Sequence, residues 1–384
     1  METFLSSYIS NGNIDIPSTE FQSLSQKYTQ EEIKEAFATE VLQNHSIEVP
    51  TKIITEKEAE DDFKNLCAYQ TTGIHAGKTC SRYEYNIPMD SAYFWESTVG
   101  LSSSDYFHQT ARYNAASQSQ MSPCAVWQNE RALKGALSPI WTLGINEITR
   151  KSLRSCIAMR KYIASQFRPA VAKSIYEYFN AESVLDFSAG WGDRLAGFYS
   201  AKCTKHYIGV DPNPAVFKNY SKQAAFYGNI AGSQKDCEFF QMPAEDMNYK
   251  KDSVDLVFTS PPYYIAERYT YGIKDTTQSS IRYKKLDEWL SSFLFCSIAK
   301  AWEALHGGGF LAINISNIYA KNKGNYHADI CNPMHDFIMN NLNADFVSLM
   351  GIKMQRRPNQ HSIYSKNALK DSVFCEPLWV YRKG

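Results

Sequence analysis

The sequence of 384 residues is longer than one hydrophobic core usually serves, and at roughly 150 residues per domain it predicts two domains or one domain with large additions. Its formal net charge is zero, its nine cysteines include no C-x-x-C pair, and no run approaches the roughly 18 apolar residues of a membrane span. We therefore expect a cytoplasmic protein, or a nuclear one in a eukaryotic host, without a disulfide framework, a secretory leader, a bound metal or a membrane partner.

The first 62 residues are predicted to form an acidic helical segment. They hold 13 acidic and four basic residues and include the helical stretch TQEEIKEAFATEVLQ. Residues 63–150 follow as a candidate substrate-recognition region, rich in Tyr, Ser, Gln and Asn and with few clean periods. Its aromatic side chains could stack on nucleic-acid bases, although filling a small core is the commoner role of such residues.

Residues 147–180 predict a helix, a break at 167–169 and a second helix. The stretch 128–173 is basic, with nine basic and two acidic residues. Such a segment fits a phosphate-binding face, and it fits a solvated helix face equally well. Its basic residues from position 150 onward are Arg150, Lys151, Arg154, Arg160, Lys161, Arg168 and Lys173.

From residue 182 onward, short β-like runs alternate with helical stretches. The runs are SVLDFS, HYIGVD, CEFFQM, VDLVFTS, GFLAINIS, DFVSLMGIKM and PLWVYR. This alternation predicts an α/β fold with a doubly wound, mostly parallel sheet of seven strands and helices on both faces. Only the last connection does not resemble a helical crossover. We therefore expect the last two runs to form an antiparallel pair at one edge of the sheet.

The stretch VLDFSAGWGDRLAGF predicts a strand, a glycine turn and a helix. Gly190 and Gly192 allow a tight turn and a close approach of a ligand to the helix start. Asp211 lies 19 positions after Gly192, at the end of the next predicted strand, where an acid can accept both hydroxyls of a ribose. A dinucleotide suits this turn less well, because Leu195 stands where the third glycine should be and Asp186 would repel a pyrophosphate. The pattern favours a cationic nucleoside.

The stretch DLVFTSPPYY places two prolines directly after an apolar, strand-like run. Because proline cannot donate to a sheet, Pro261 and Pro262 must end the strand and fix a rigid turn. An isolated Pro-Pro pair is usually a surface turn. The position of this pair after a buried strand, in a chain that already has a candidate ligand turn, favours a functional turn instead.

Over residues 160–384 the sequence resembles the class I methyltransferases that act on exocyclic amines of nucleic-acid bases. DFSAGWG resembles their first motif, D-P-F-x-G-x-G, and GVDPNP, PAEDM and TSPPY resemble the second, third and fourth. FRPAVAKSIYEYF resembles the segment before the first motif. The chain departs from this motif at two positions: Phe187 occupies the place of the proline, and Ser188 occupies the place of the phenylalanine. The resemblance implies a catalytic domain over residues 151–384, and the motif order resembles the γ arrangement.

The resemblance implies S-adenosylmethionine as the cofactor and S-adenosylhomocysteine as its product. It places Asp211 at the ribose and Asp246 near the adenine amine. The full set of residues that it assigns to the cofactor is Phe167, Pro169, Asp186, Phe187, Ser188, Gly190, Gly192, Asp211, Pro212 and Asp246.

The resemblance also implies a catalytic turn formed by Ser260, Pro261, Pro262 and Tyr263. An exocyclic amine is a poor nucleophile because its lone pair is delocalised into the ring. The hydroxyl of Ser260 and the carbonyl of Pro261 would each accept a hydrogen bond from one of its two hydrogens, which would free the nitrogen lone pair for attack. Tyr263 would stack on a base flipped out of the duplex.

The favoured function is therefore a DNA methyltransferase, acting on cytosine N4 before adenine N6, because the family tends to carry Ser before Pro-Pro-Tyr in its cytosine enzymes. An enzyme acting on RNA is the related alternative, and a non-catalytic nucleic-acid-binding protein with the same fold is the alternative of a different class. The N-terminal region is the candidate for recognising the substrate. Further candidates for the base pocket or for phosphate contacts, with a solvated loop as the equal alternative, are Glu267, Arg268, Tyr269, Arg356 and Arg357.

Overall fold

The computed structural model of the protein describes residues 3–269, 276–320, 326–354 and 372–384. Short 3-10 turns lie at Ser6–Tyr8 and Ala244–Asp246, and a π-helical stretch at Trp289–Phe295. The helices are α1 (Ser18–Lys27), α2 (Gln30–Gln43), α3 (Glu56–Ala68), α4 (Leu101–Tyr113), α5 (Pro123–Trp127), α6 (Glu130–Leu137), α7 (Pro139–Thr142), α8 (Arg150–Arg160), α9 (Pro169–Phe179), α10 (Asp193–Ser200), α11 (Pro214–Ala231), α12 (Ser279–Arg282), α13 (Leu286–Glu288), α14 (Cys296–Ala304) and α15 (Cys331–Asn341).

Among the residues described, ten strands form the main sheet in the order β3-β5-β15-β16-β12-β10-β7-β8-β9, with β4 paired to β16, and the other strands form three small two-stranded sheets. The strands are β1 (Ile9–Ser10), β2 (Asn13–Ile14), β3 (Ile74–Ala76), β4 (Thr79–Cys80), β5 (Ala92–Phe94), β6 (Ala116–Ser117), β7 (Ser183–Asp186), β8 (His206–Val210), β9 (Asp236–Phe240), β10 (Val254–Thr259), β11 (Glu267–Arg268), β12 (Leu305–Asn314), β13 (Ile318–Ala320), β14 (Tyr326–Ala328), β15 (Ala344–Lys353) and β16 (Val373–Lys383).

The central strands are buried on both faces, which is why their sequences are continuous apolar runs. On β7, Leu185 belongs to one apolar cluster and Val184 to the other, and Val257 and Leu256 of β10 divide in the same way. The pairs β9–β8, β8–β7, β7–β10 and β10–β12 are all parallel. Their carboxyl ends therefore meet along one edge of the sheet, the position at which such folds bind ligands.

The predicted fold class is confirmed, since all seven predicted runs are strands of a doubly wound, mostly parallel sheet. β15 and β16 pair antiparallel, as expected. Neither lies at the edge, because β16 is inserted between β12 and β15, and β5 and β3 continue the sheet beyond β15. These extra strands are two or three residues long, too short to give a period-2 signal in the sequence.

The chain divides into two compact units. Unit 1 comprises Met1–Ile53, Gln109–Ser165 and Glu267–Lys274, and unit 2 comprises Ile54–His108, Gln166–Ala266 and Asp275–Gly384. The predicted boundaries were at 62 and 150, whereas this division puts residues 54–108 in the same unit as the main sheet. The recognition role of residues 63–150 stays a prediction.

The N-terminal residues form helices with clear start signals. Thr29 and Glu32 form a capping box at the start of α2, and Thr55 and Glu58 form one at the start of α3. Several aromatic residues of the region 63–150 fill cores, namely Phe63 and Phe94 in unit 2 and Trp127 in unit 1. Within the described ranges, no helix is both long and apolar enough to cross a membrane.

Candidate active site

The glycine turn joins β7 to α10 at the carboxyl edge of the sheet. Gly190 and Gly192 have φ angles of 57° and 68°, a left-handed conformation that favours glycine. A Cβ atom at Gly192 would lie 2.1 Å from Oε1 of Gln223, so a side chain there would displace the amide of Gln223. A Cβ atom at Gly190 would have the carbonyl oxygen of Ser188 as its nearest neighbour, at 3.7 Å. The backbone at Gly190 is therefore open to the approach of a ligand.

Side chains of α11 hold the carbonyl groups of this turn. The Tyr220 hydroxyl donates to the carbonyl of Gly190 at 2.6 Å, and the Gln223 amide donates to that of Gly192 at 3.1 Å. Nε2 of the fully buried His108 lies 2.9 Å from Oε1 of Gln223. Because burial lowers the pKa of His108 to about 4, the ring is neutral at pH 7. The sequence alone does not indicate Tyr220, Gln223 or His108 as site residues, since only the packing of α11 brings them to the turn.

Asp211 lies directly after β8, beside the glycine turn. Its Oδ2 accepts the backbone N–H of Gly190 and its Oδ1 that of Asn213, both at 2.9 Å. The side chain is half-buried, like the following Pro212. Burial raises the pKa of Asp211 to about 6, although the two backbone hydrogen bonds act in the opposite direction. The carboxylate keeps lone pairs for further donors.

Asp186 ends β7 and is fully buried. Its Oδ2 lies 2.7 Å from Nε of Arg194, whose guanidinium also donates to the carbonyl of Ser188. Tyr207 and Thr259 donate their hydroxyl protons to the carboxylate at 2.9 and 3.0 Å. Burial alone would lower the pKa of Arg194, but Asp186 holds it above its ordinary value. The sequence predicts that this carboxylate suits a cationic ligand; Arg194 already compensates its charge, and a role of Asp186 at the cofactor stays a prediction.

Four further residues assigned to the cofactor have different environments. The ring of Phe167 is half-buried, with its centroid 5.6 Å from Cζ of Arg194. Pro169 is the buried first residue of α9. Phe187 is buried in the apolar core, whereas Ser188 is partly exposed. Of these four residues, Phe167 and Ser188 are therefore the ones with side-chain surface to offer a ligand.

Asp246 lies in the 3-10 turn after β9, and its side chain is exposed. Its Oδ2 is 2.7 Å from Nη1 of Arg282, which also lies 2.8 Å from Oε1 of the buried Glu245. A contact between Asp246 and an adenine amine stays a prediction, and Asp246 would have to share its carboxylate between Arg282 and the amine.

The Ser-Pro-Pro-Tyr turn begins directly after β10. Ser260 is partly exposed, and its hydroxyl lies 3.4 Å from Oδ1 of Asn314, the last residue of β12. The hydroxyl of Tyr263 donates to Oε1 of Glu376, a residue of β16, at 2.9 Å. Pro261 is buried, and Pro262 and Tyr263 are partly buried. The sequence alone does not indicate Asn314 and Glu376, because only the order of the strands in the sheet brings them to the turn.

Tyr264, the residue after the turn, has a left-handed backbone with a φ angle of 50°. This conformation costs a non-glycine residue roughly 1–2 kcal/mol. Burial of the ring and a hydrogen bond of 2.6 Å from its hydroxyl to the carbonyl of Lys284 offset that cost. The local fold thus holds the turn in a shape that the backbone does not prefer, as functional turns often do.

The basic residues of positions 150–173 have different environments. Lys173 is 3% exposed and donates to three backbone carbonyls at the end of α3, so it has a structural role. Arg150 donates to the carbonyl of Thr51 at 3.0 Å and pairs with Glu48 at 3.2 Å. Lys151 and Arg160 are exposed, and Arg154, Lys161 and Arg168 are partly exposed. For these five residues, a phosphate-binding face and a solvated helix face both stay open.

The remaining candidates from the sequence lie on loops. Glu267 and Arg268 form β11, which pairs with β6, and the Tyr269 hydroxyl donates to Glu267 at 2.8 Å. Their predicted role in a base pocket stays a prediction. Arg356 and Arg357 lie outside the described residues.

No protein-family model matches the sequence, and no curated protein matches it. The fold is similar to solved structures of methyltransferases. A SAM-dependent methyltransferase from Methanosarcina mazei is 11% identical, with 54% of this chain and 96% of that chain covered and a TM-score of 0.36. An rRNA methylase from Streptococcus thermophilus is 15% identical (57% and 98% covered, TM-score 0.32), and a tRNA methyltransferase from Aquifex aeolicus is 13% identical (57% and 70%, TM-score 0.31). Similarities this distant say nothing of the substrate of this chain.

Proposed function

We propose that the protein transfers a methyl group from S-adenosylmethionine to an exocyclic amine of a DNA base, with cytosine N4 as the first target. The observation that carries this proposal is the adjacency of two turns at one edge of the sheet. Thr259, next to Ser260, donates its hydroxyl proton to Asp186, the residue from which the glycine turn starts. A cofactor beside Gly190 and a base at Ser260 would therefore be neighbours.

The residues around the glycine turn fit S-adenosylmethionine. The open backbone at Gly190 permits close approach, and Asp211 keeps lone pairs for the two ribose hydroxyls. Phe167 and Ser188 would add side-chain contacts. When bound, S-adenosylmethionine supplies a methyl group on a positively charged sulfur. Because Arg194 already compensates the charge of Asp186, we expect binding to depend on Asp211 more than on Asp186.

The Ser-Pro-Pro-Tyr turn would activate the amine. The hydroxyl of Ser260 can donate its proton to Oδ1 of Asn314, at 3.4 Å, and its oxygen lone pairs would then accept a hydrogen of the amine. The carbonyl of Pro261 would accept the second hydrogen, and the two prolines hold that carbonyl without a competing N–H. Holding both hydrogens would localise the nitrogen lone pair before it attacks.

The choice of DNA and of cytosine depends on the resemblance of TSPPY to the motif of amino-methyltransferases, in which serine at the first position is typical of cytosine-N4 enzymes. A base within a duplex cannot reach a turn at the sheet edge, so the proposal includes flipping of the base against Tyr263. Adenine N6 and RNA bases carry the same amine chemistry and are outcomes of the test.

The test is mass spectrometry of nucleosides from the DNA and RNA of cells that express the protein, with Ser260→Ala as the matched variant. N4-methylcytosine in DNA from the unmodified protein alone would agree with the proposal. N6-methyladenine would change the base, and methylated RNA alone would change the polymer. Absence of any methylated amine, together with no S-adenosylmethionine binding by calorimetry, would leave a non-catalytic binding protein.

A further inference from the structure

Glu376 is an acidic residue at the Ser-Pro-Pro-Tyr turn that no motif of the sequence marks. It lies on β16, two residues before Leu378, which pairs with Asn314 at the end of β12. Its Oε1 accepts the hydroxyl proton of Tyr263 at 2.9 Å, and the side-chain amide of Asn314 donates to the carbonyl of the next residue, Pro377, at 3.0 Å. The carboxylate thus contacts the catalytic turn through Tyr263, and the next residue of β16 contacts Asn314, which faces the Ser260 hydroxyl.

The charge of Glu376 is compensated differently from those of Asp186 and Asp246, two other acids at this edge. Asp186 is paired with Arg194 and Asp246 with Arg282. Among the residues that the structure describes, no cation lies within ion-pair distance of Glu376. Burial raises the pKa of Glu376, and its polar interactions with Tyr263 and Asn314 act in the opposite direction. Glu376 is half-buried, and an acid with a raised pKa at a ligand-binding edge is a candidate functional residue.

Glu376 is the nearer of two acceptors that face the Tyr263 hydroxyl. The hydroxyl has one proton, and its other acceptor, the carbonyl of Asn314, is farther away at 3.3 Å. At 2.9 Å the carboxylate oxygen of Glu376 is the nearer acceptor. The next residue, Tyr264, is fixed separately by its own hydrogen bond to Lys284. Glu376 therefore fixes the outer end of the one side chain on this turn that would stack on a base.

We propose that Glu376 is a positioning residue for methyl transfer, acting through the hydroxyl of Tyr263 to hold the stacking ring in one orientation. This inference rests on the proposed function. It requires that a glutamine at position 376, which keeps an oxygen acceptor for the Tyr263 hydroxyl but carries no charge, preserves most of the effect. If Glu376 acted only through its charge, Glu376→Gln would not preserve activity.

The experiment compares Glu376→Ala, Glu376→Gln, Tyr263→Phe and the double variant Tyr263→Phe/Glu376→Ala. Glu238→Ala, at an exposed glutamate of the opposite edge strand β9, is the control. Three quantities are measured on the full chain: S-adenosylmethionine affinity by calorimetry, kcat and KM for base methylation, and the carbon-13 resonance of the Tyr263 ring in protein with labelled tyrosine. Tyr263→Phe assigns that resonance by its loss.

We expect Glu376→Ala to lower kcat about 10- to 100-fold, because a displacement of about 1 Å in a group that holds the substrate can cost about 100-fold. Cofactor affinity should be unchanged, Glu376→Gln should restore most of kcat, and the double variant should be no worse than Tyr263→Phe alone. Full activity of Glu376→Ala, additive losses in the double variant, or failure of glutamine to restore activity would each overturn the inference.

The resonance of Tyr263 separates this inference from the proposed function. If the unmodified protein bound no S-adenosylmethionine and methylated no base, the proposed function would fall, and a role for Glu376 in that reaction would fall with it. The contact itself would still be tested, since Glu376→Ala should shift or broaden the Tyr263 resonance and Glu238→Ala should not. If the enzyme is active and the resonance does not move in Glu376→Ala, the proposed function stands and the positioning role is refuted.

Discussion

Replacing Asp186 with asparagine tests whether one buried carboxylate holds the glycine turn and the catalytic turn together. Asparagine keeps the size of the side chain and removes its charge, which leaves the guanidinium of Arg194, 6% exposed, without its partner. Removing one partner of a buried ion pair costs about 3–5 kcal/mol. One of the hydroxyl donors, Tyr207 or Thr259, would also face an amide N–H instead of an oxygen, for a further loss of about 1–3 kcal/mol.

These losses are large beside the free energy of unfolding of a typical protein, about 5–15 kcal/mol. Thr259→Val removes only one hydrogen bond to the carboxylate. It should lower the free energy of unfolding by about 1 kcal/mol. Urea unfolding of Asp186→Asn, Arg194→Met and the double variant would measure the coupling between the two charged groups. Because the double variant leaves no unpaired charge, its loss should fall short of the sum of the single losses by about 1–3 kcal/mol.

Two results would refute this reasoning. One is a loss of less than 1 kcal/mol in Asp186→Asn, and the other is strict additivity of the single variants in the double variant. A third result would revive the expectation from the sequence: normal stability of Asp186→Asn with a selective loss of S-adenosylmethionine affinity would make Asp186 a direct ligand of the cofactor.

Three further predictions concern the cofactor turn and the basic segment. Asp211→Ala should weaken S-adenosylmethionine binding by roughly 1.5–3 kcal/mol in calorimetry. Burial raises the pKa of Asp211 to about 6, so the affinity for S-adenosylmethionine should fall as the pH drops below 6 and the carboxylate is protonated. Asp211→Asn should lack this pH dependence. Gly192→Ala should lower the melting temperature, because its Cβ would lie 2.1 Å from a neighbouring side chain; an unchanged melting temperature would contradict this packing. If the basic segment binds phosphates, Arg154→Ala/Lys161→Ala should flatten the salt dependence of DNA binding, whereas Lys173→Ala should reduce stability and leave the salt slope alone.

The sequence predicted the parts of the fold that depend on long periodic runs. SVLDFS, VDLVFTS and GFLAINIS are buried on both faces, and continuous apolar runs of this kind separated by helical stretches are sufficient to predict a parallel sheet. The position of Asp211 followed from the same logic, because an acid directly after a parallel strand must lie at the carboxyl edge. The insertion of β16 between β12 and β15 could not be predicted, since alternation fixes which runs are strands and not their order.

The site residues that the sequence missed are those that act across the fold. Tyr220 and Gln223 lie within an ordinary amphipathic helix, and their role follows only from the carbonyls that they face. Arg194 lies eight residues after Asp186, but its direction into the core could not be inferred from spacing. Glu376 lies 113 positions from Tyr263, and no local pattern distinguishes it from a surface glutamate.

The position of β16 has a consequence for synthesis of the protein on the ribosome. β16 follows every other strand of the main sheet in the sequence, yet it lies in the interior, paired with β12, β15 and β4. Until residue 383 has been synthesised, β12 and β15 each keep an unpaired edge, and the apolar surface that packs against Leu378, Trp379 and Val380 is uncovered. A nascent or shortened chain that lacks β16 therefore presents two sheet edges to other chains, and such edges are sites of aggregation. Protein that aggregates during expression would be expected to consist largely of chains that end before β16.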